Sequence, residues 1–123
     1  MRYACLVYLD EAKLDVLTDA ERDRLRRDSV LCEDDLRRSG HLLAAEPLQS
    51  VRAATTLRVR DGRPLTLDGP ATRTEEQLAR VLVVEARDLN EALRLAAKHP
   101  SSRLGSVEIR PIRSGPANAS GDV

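Results

Sequence analysis

Few side chains in this sequence can do chemistry: His41 and His99, Cys5 and Cys32, Tyr3 and Tyr8, set among 20 acidic and 20 basic residues. Asp68 stands before Gly69 and Pro70, where a strand runs into a turn. Its carboxylate either bonds nearby backbone N–H groups, as turn aspartates do, or orients a base or binds a cationic group at a pocket mouth. His41 follows the helix-ending Gly40. There its ring either complements the helix dipole or serves as an acid/base group near neutral pH. Tyr8, with Asp10, closes the first apolar run at the sheet edge expected for Asp68, where a phenol either donates to a ligand or fills an interface. Ser29 lies on an apolar helical stripe, and such a hydroxyl bonds back to the carbonyl four residues earlier unless it faces a pocket. As a nucleophile it needs a base, and the sequence places none beside it. Arg73 and Glu76 read as surface or interface charges. His99, just before Pro100, reads as a helix-end cap. The expected catalytic pair is Asp68 with His41, and the expected ligand-binding set is Tyr8, Ser29, Gly69, Pro70 and Arg73.

Several function classes fall away. No His, Cys or carboxylate group has metal-ligand spacing, and no glycine-rich phosphate loop is present, so neither metal nor cofactor is expected. Cys5 and Cys32 lack a CxxC spacing and read as buried, reduced thiols. A net charge of +0 and 2% aromatic residues supply neither the basic footprint nor the stacking platforms of nucleic-acid binders. The run from Tyr3 to Leu9 is too short for a signal segment or a membrane span, and no other stretch comes close. A soluble, cytoplasmic protein is the expectation.

These side chains must be held by one small domain, since 123 residues are too few for two cores. Tyr3 to Leu9 reads as a strand apolar on both faces. Thr18 and Glu21 form a capping box for a helix that runs to Arg38 and stops at Gly40, with Leu25, Ser29, Cys32 and Leu36 facing inward. Leu42 to Ala45 is a short strand ended by Pro47. Thr55–Val59 and Pro64–Leu67 flank Asp61-Gly62, a hairpin signal. A second wholly apolar strand spans Val81 to Val84. Asp88, boxed by Glu91, opens a helix with Leu89, Ala92, Leu93, Ala96 and Ala97 on one face, ended by Pro100. Ser106 to Ile112 alternates as a last strand. The domain is therefore residues 1–112, and the Ser-, Gly- and Pro-rich stretch 113–123 reads as a disordered tail. The order is that of an α+β, ferredoxin-like split βαβ with an inserted β-hairpin. Two helices cover one face of such a sheet, and an apolar second face calls for a second copy of the chain.

Three stretches, Val59-Arg60-Asp61-Gly62-Arg63, Leu67-Asp68-Gly69-Pro70 and Thr74-Glu75-Glu76-Gln77-Leu78, followed by the closing Gly105-Ser106-Val107-Glu108-Ile109-Arg110-Pro111-Ile112, resemble the YCII-related proteins, specifically their DGPF branch. The likeness runs in the same element order from first strand to last, beyond what a short motif carries. It implies a dimeric α+β barrel of ferredoxin-like subunits and little about chemistry. Some members resemble accessory proteins that accompany alternative sigma factors, and enzymatic relatives use a His–Asp pair. This chain departs from the pattern at Ala71, where the motif has Phe, at Arg73-Thr74-Glu75, where the motif runs Glu-Thr-Lys, and at Ala79-Arg80 in place of Gly-Gly. The histidine that enzymatic relatives carry on the first helix is replaced by Ser29. Two functions follow as expectations: a homodimer that binds a small organic ligand or assists a regulator or pathway enzyme, or an acid/base lyase or isomerase of a small organic acid using Asp68 with His41 or Tyr8.

Overall fold

A computed structural model describes residues 1–114, so most of the stretch expected as a tail lies outside the described residues. The chain forms β1 (Arg2–Leu9), α1 (Glu11–Asp15), α2 (Asp19–Arg38), β2 (Leu42–Pro47), a 3-10 turn (Val51–Ala53), β3 (Thr55–Arg60), β4 (Arg63–Asp68), β5 (Gln77–Glu85), α3 (Leu89–Lys98), a second 3-10 turn (Pro100–Arg103) and β6 (Gly105–Pro111). Four strands make one antiparallel sheet in the order β2-β5-β1-β6, and β3 and β4 pair only with each other. It is an α+β fold.

Local chemistry sets the boundaries. Thr18 Oγ1 accepts from the Glu21 N–H at 3.1 Å while Glu21 Oε1 accepts from the Thr18 N–H at 3.0 Å, so two of the otherwise orphan amides at the start of α2 are satisfied reciprocally. At its far end Gly40 takes a positive φ of 81°. The five-residue α1, capped by the Asp10 carboxylate on the Ala12 N–H, escapes the sequence reading because one turn shows no periodicity. The box expected at Asp88 forms differently. Asp88 accepts from the Glu91 N–H at 2.9 Å, but Glu91 reaches the Arg87 N–H instead, because the Arg87 guanidinium already holds its carboxylate at 3.1 Å. The β3–β4 turn is as expected, with Asp61 and Gly62 both at positive φ, 51° and 74°, the geometry of a two-residue hairpin.

The core lies between one sheet face and the helices: Tyr3, Cys5, Leu42, Leu82 and Val84 from the strands, Leu36 from α2, and Ala92, Leu95 and Ala96 from α3. The inner face expected for α3 needs correction. Leu89 and Leu93 are exposed, and Leu95 takes the inner place. Ala92, Leu95, Ala96 and His99 satisfy the helical period as well as the expected set does. Seating His99 against its partner on α2 decides between the two.

Strand alternation sends the remaining residues to the other face. Ala4, Leu6 and Tyr8 of β1 stand opposite Val83, Val81 and Leu78 of β5, with Ala44 of β2 beside Val83, and all are half-buried. The register slips between Val7 and Tyr8, so Ala79 is passed over. Tyr8 is further fixed by Gly105, where any β-carbon would collide with the Tyr8 carbonyl oxygen.

Candidate functional site

The root of the β3–β4 hairpin is held closed by its own backbone. The Gly69 N–H donates to the Ala54 carbonyl at 2.8 Å, and Thr56 Oγ1 donates to the Gly69 carbonyl at 2.7 Å. Gly69 has a φ of 102°, a backbone conformation that favours glycine. Beside this root runs a groove of about 490 Å³, lined by Leu48, Val51, Ala54, Pro70, Gln77 and Leu78 among others. Its floor is braced by Glu11, which accepts from Ser50 Oγ at 2.6 Å and the Val51 N–H at 2.8 Å. The Ser50 hydroxyl and then the Val51 amide hold the Glu11 carboxyl below the usual range. Gln77 Nε2 donates to the Thr72 and Thr74 carbonyls, at 2.8 and 3.1 Å, fixing the loop that carries Arg73. The groove is apolar with a few neutral hydrogen-bonding groups, as small-molecule sites commonly are.

Of the residues expected to act, Gly69 and Pro70 stand at this root, Asp68 and Arg73 are exposed beside it, and Tyr8 pairs across to Leu78 at the groove's edge. His41 does not join them. Its Nδ1–H donates to the Glu85 carbonyl at 3.0 Å and its own carbonyl accepts from the Glu85 N–H at 2.7 Å, which sets it at the far end of β5. Gln77 and Glu85 are separated by eight strand steps, on the order of 26 Å at the usual rise. His41 instead lines a second groove, of about 590 Å³, with Cys32, Ser39, Lys98 and Arg103. Asp68, which ends β4 near the Gln77 end of β5, and His41, at its Glu85 end, are therefore far apart.

Ser29 lies on the inner face of α2 at 3% exposure, as expected, but its hydroxyl does not bond back along the helix. Ser29 Oγ is buried without a hydrogen-bond partner. It points into the packing between helix and sheet, where no acceptor reaches it. Both cysteines are free. Burial pushes the Cys5 thiol up to about 11. It also raises Cys32, as do the neighbouring Glu33 and Asp35 carboxylates, so neither is a reactive thiolate.

One polar constellation went unread in the sequence. Glu33 of α2 takes two donors on the same oxygen, Arg80 of β5 at 2.9 Å and His99 Nε2 at 2.8 Å. On the other side of the ring, Nδ1 accepts from the Ser101 N–H at 3.2 Å and the Ser101 hydroxyl at 2.7 Å, which assigns the proton to Nε2. His99 does cap, as expected, but it caps the second 3-10 turn from its N-terminal side. Burial is the chief reason its pKa lies below the ordinary 6.5, with the Arg80 charge adding to it and Glu33 opposing it. The serine, histidine and glutamate form a triad-like chain, yet Ser101 is 3% and His99 1% exposed, and none of the three lines either groove. This is a bracket joining α2, β5 and the end of α3. Its signal in the sequence was Arg80, a lone cation inside an apolar strand, together with Glu33 one turn after Ser29 on the inner side of α2.

No group of three His, Cys, Asp or Glu side chains among the described residues is placed to hold a metal ion, and no described helix is long and apolar enough to cross a membrane. The family model for the YCII-related domain matches residues 1–115. An uncharacterised protein of Rhizobium meliloti (strain 1021) is 32% identical over 114 residues, which covers 91% of this chain and 92% of that protein.

Proposed function

We propose, from the premise that this chain belongs to the YCII-related family, that it is a small ligand-binding homodimer of the DGPF type rather than a catalyst in its own right. The observation that carries this reading is the lining of the groove at the hairpin root, which holds no acidic, basic, imidazole or thiol side chain. His41 bonds to the Glu85 end of β5 while Asp68 ends β4 beside the hairpin root, and the His99–Glu33 pair is largely buried. General acid–base catalysis needs the proton-transferring group within hydrogen-bond reach of its substrate. The groove at the hairpin root lacks such a pair among its lining residues and suits a small, largely apolar organic molecule with one or two hydrogen-bonding groups.

The strand order β2-β5-β1-β6 with the helices on one face supports the ferredoxin-like description, with residues 1–112 as the domain. The half-exposed row of Ala4, Leu6, Tyr8, Val81 and Val83 supports a dimeric α+β barrel, in which a second copy covers that face.

The test is a binding screen by thermal shift and NMR with small organic acids and phenols, read on wild type and on Ala54→Trp, which fills the groove. Saturable binding that moves the Leu48, Ala54 and Leu78 signals and is lost in Ala54→Trp supports the reading. Turnover of any of these compounds that survives Ala54→Trp and is abolished by Asp68→Asn would sink it.

A further inference from the structure

We infer that the β3–β4 hairpin is an arm that packs onto a second copy of this chain; the inference rests on the homodimer reading above and specifies how the pair is held. Eleven of its twelve strand residues are exposed, all but Thr56, and the two strands form their own sheet. A lone two-stranded hairpin is marginal in water at best. This one nevertheless exposes Leu57, Val59, Leu65 and Leu67 at 53% to 61%. The cross-strand register puts Leu57, Val59 and Pro64 on one side and Leu65 and Leu67 on the other, so both sides of the arm carry unspent apolar surface.

Three quantities favour a second copy as what the arm covers. The first is area. A standard interface takes roughly 800 Å² per partner, and the arm adds the exposed Leu57, Val59, Leu65 and Leu67 to the half-buried row of the open face. The second is reach. Six residues per strand extend about 20 Å, whereas the three spacings of a four-stranded sheet span about 14 Å. The arm is rooted at Gly69 and Pro70, next to Leu78 of the open face, so it begins where that face ends. The third is charge. The arm's outer half bears Arg58, Arg60 and Arg63 against the single Asp61, while the β2 edge of the open face carries the exposed Glu46; on β6, Glu108 is matched by Arg110 at 3.7 Å. A copy related by a two-fold axis brings each basic tip to the Glu46 edge of a partner's open face, and both arms are used.

The experiment is hydrogen exchange and light scattering on the full chain across a dilution series, for wild type and for the double variant Leu57→Asp with Val59→Asp. Wild type is expected at twice the 13.6 kDa chain mass, with the cross-strand amides of 55–60 and 63–68 protected at micromolar concentration and released on dilution. The double variant, whose changes lie outside the core, is expected to keep its circular dichroism and core amide protection while dimer affinity falls at least about a hundredfold, as when central interface anchors are lost. A double variant that dimerises like wild type, or arm amides that exchange freely within a stable dimer, overturns the arm and leaves the homodimer standing. Arm protection in a monomeric wild type overturns both.

Discussion

On its helix-covered side the four-stranded sheet buries Tyr3, Cys5, Leu82 and Val84, and it also closes over a glutamate, an arginine and a histidine. One residue along each strand, on the other side, Ala4, Leu6, Tyr8, Val81 and Val83 remain half-exposed. The covered face spends polar groups where apolar ones would suffice, and the open face spends apolar groups where polar ones would suffice. Replacing a buried ion network with hydrophobic residues is often neutral or stabilising, so the Glu33 bracket is better understood as fixing which way α2 and α3 dock. An apolar face left to water costs solubility, and its persistence here fits a surface made to be covered. Charge inside marks architecture in this molecule, and the apolar open face is the surface on which the proposed dimer rests.

Among the largest losses expected on the covered side is that of Glu33→Ala. It strands Arg80 and His99, and a broken buried pair costs about 3–5 kcal/mol. The lower end applies because the Arg80 side chain keeps 22% of its surface in water. Urea denaturation reads this, and a loss below about 1 kcal/mol would mean the bracket is ornamental. Next come two neighbours on β5. Leu82→Ala should cost about 2–5 kcal/mol at any protein concentration, as core truncations do. Val83→Ala should cost little in the dilute chain and more as concentration rises. Equal, concentration-independent losses would erase the distinction between the faces.

Ser29→Ala should go the other way, since it deletes a hydroxyl buried without a partner. A gain of about 1 kcal/mol is expected, and a loss would reveal a partner for that oxygen. The smallest effect concerns pH. Burial holds the His99 imidazole below its ordinary 6.5, so the unfolded chain takes up a proton first as pH falls. The stability tied to His99 is whole above about pH 6.5 and declines from there toward the folded pKa. Subtracting the pH profile of His99→Gln from that of wild type, between pH 7.5 and 5, should leave that slope; a flat difference would contradict it.

Much of this was legible beforehand. The capping box at Thr18, the stop at Gly40, the Asp61-Gly62 turn and the alternating strands depend on residues within a few positions of one another, and local rules read them well. The short α1 and the rotated face of α3 were not legible, the first because five residues carry no period, the second because two faces of that helix satisfy the same period. At the candidate site, the turn role of Gly69 and Pro70 was visible, while the groove beside them is assembled from the segment after β2, the first 3-10 turn and β5, distant in sequence. The pairing of His41 with Asp68 was suggested by residue type alone, and strand length separates them.

The amino-acid sequence by itself determined the element order, the hairpin, the capped helices and the surplus of apolar strand surface, because each follows from backbone preference and from alternation along a single segment. Only the tertiary structure decided which histidine meets a carboxylate, which serine hydroxyl is left without a partner, and which end of the sheet each reactive group occupies. Those outcomes depend on registers between strands and on the rotation of helices over them, and a register is a property of two segments that neither one encodes alone.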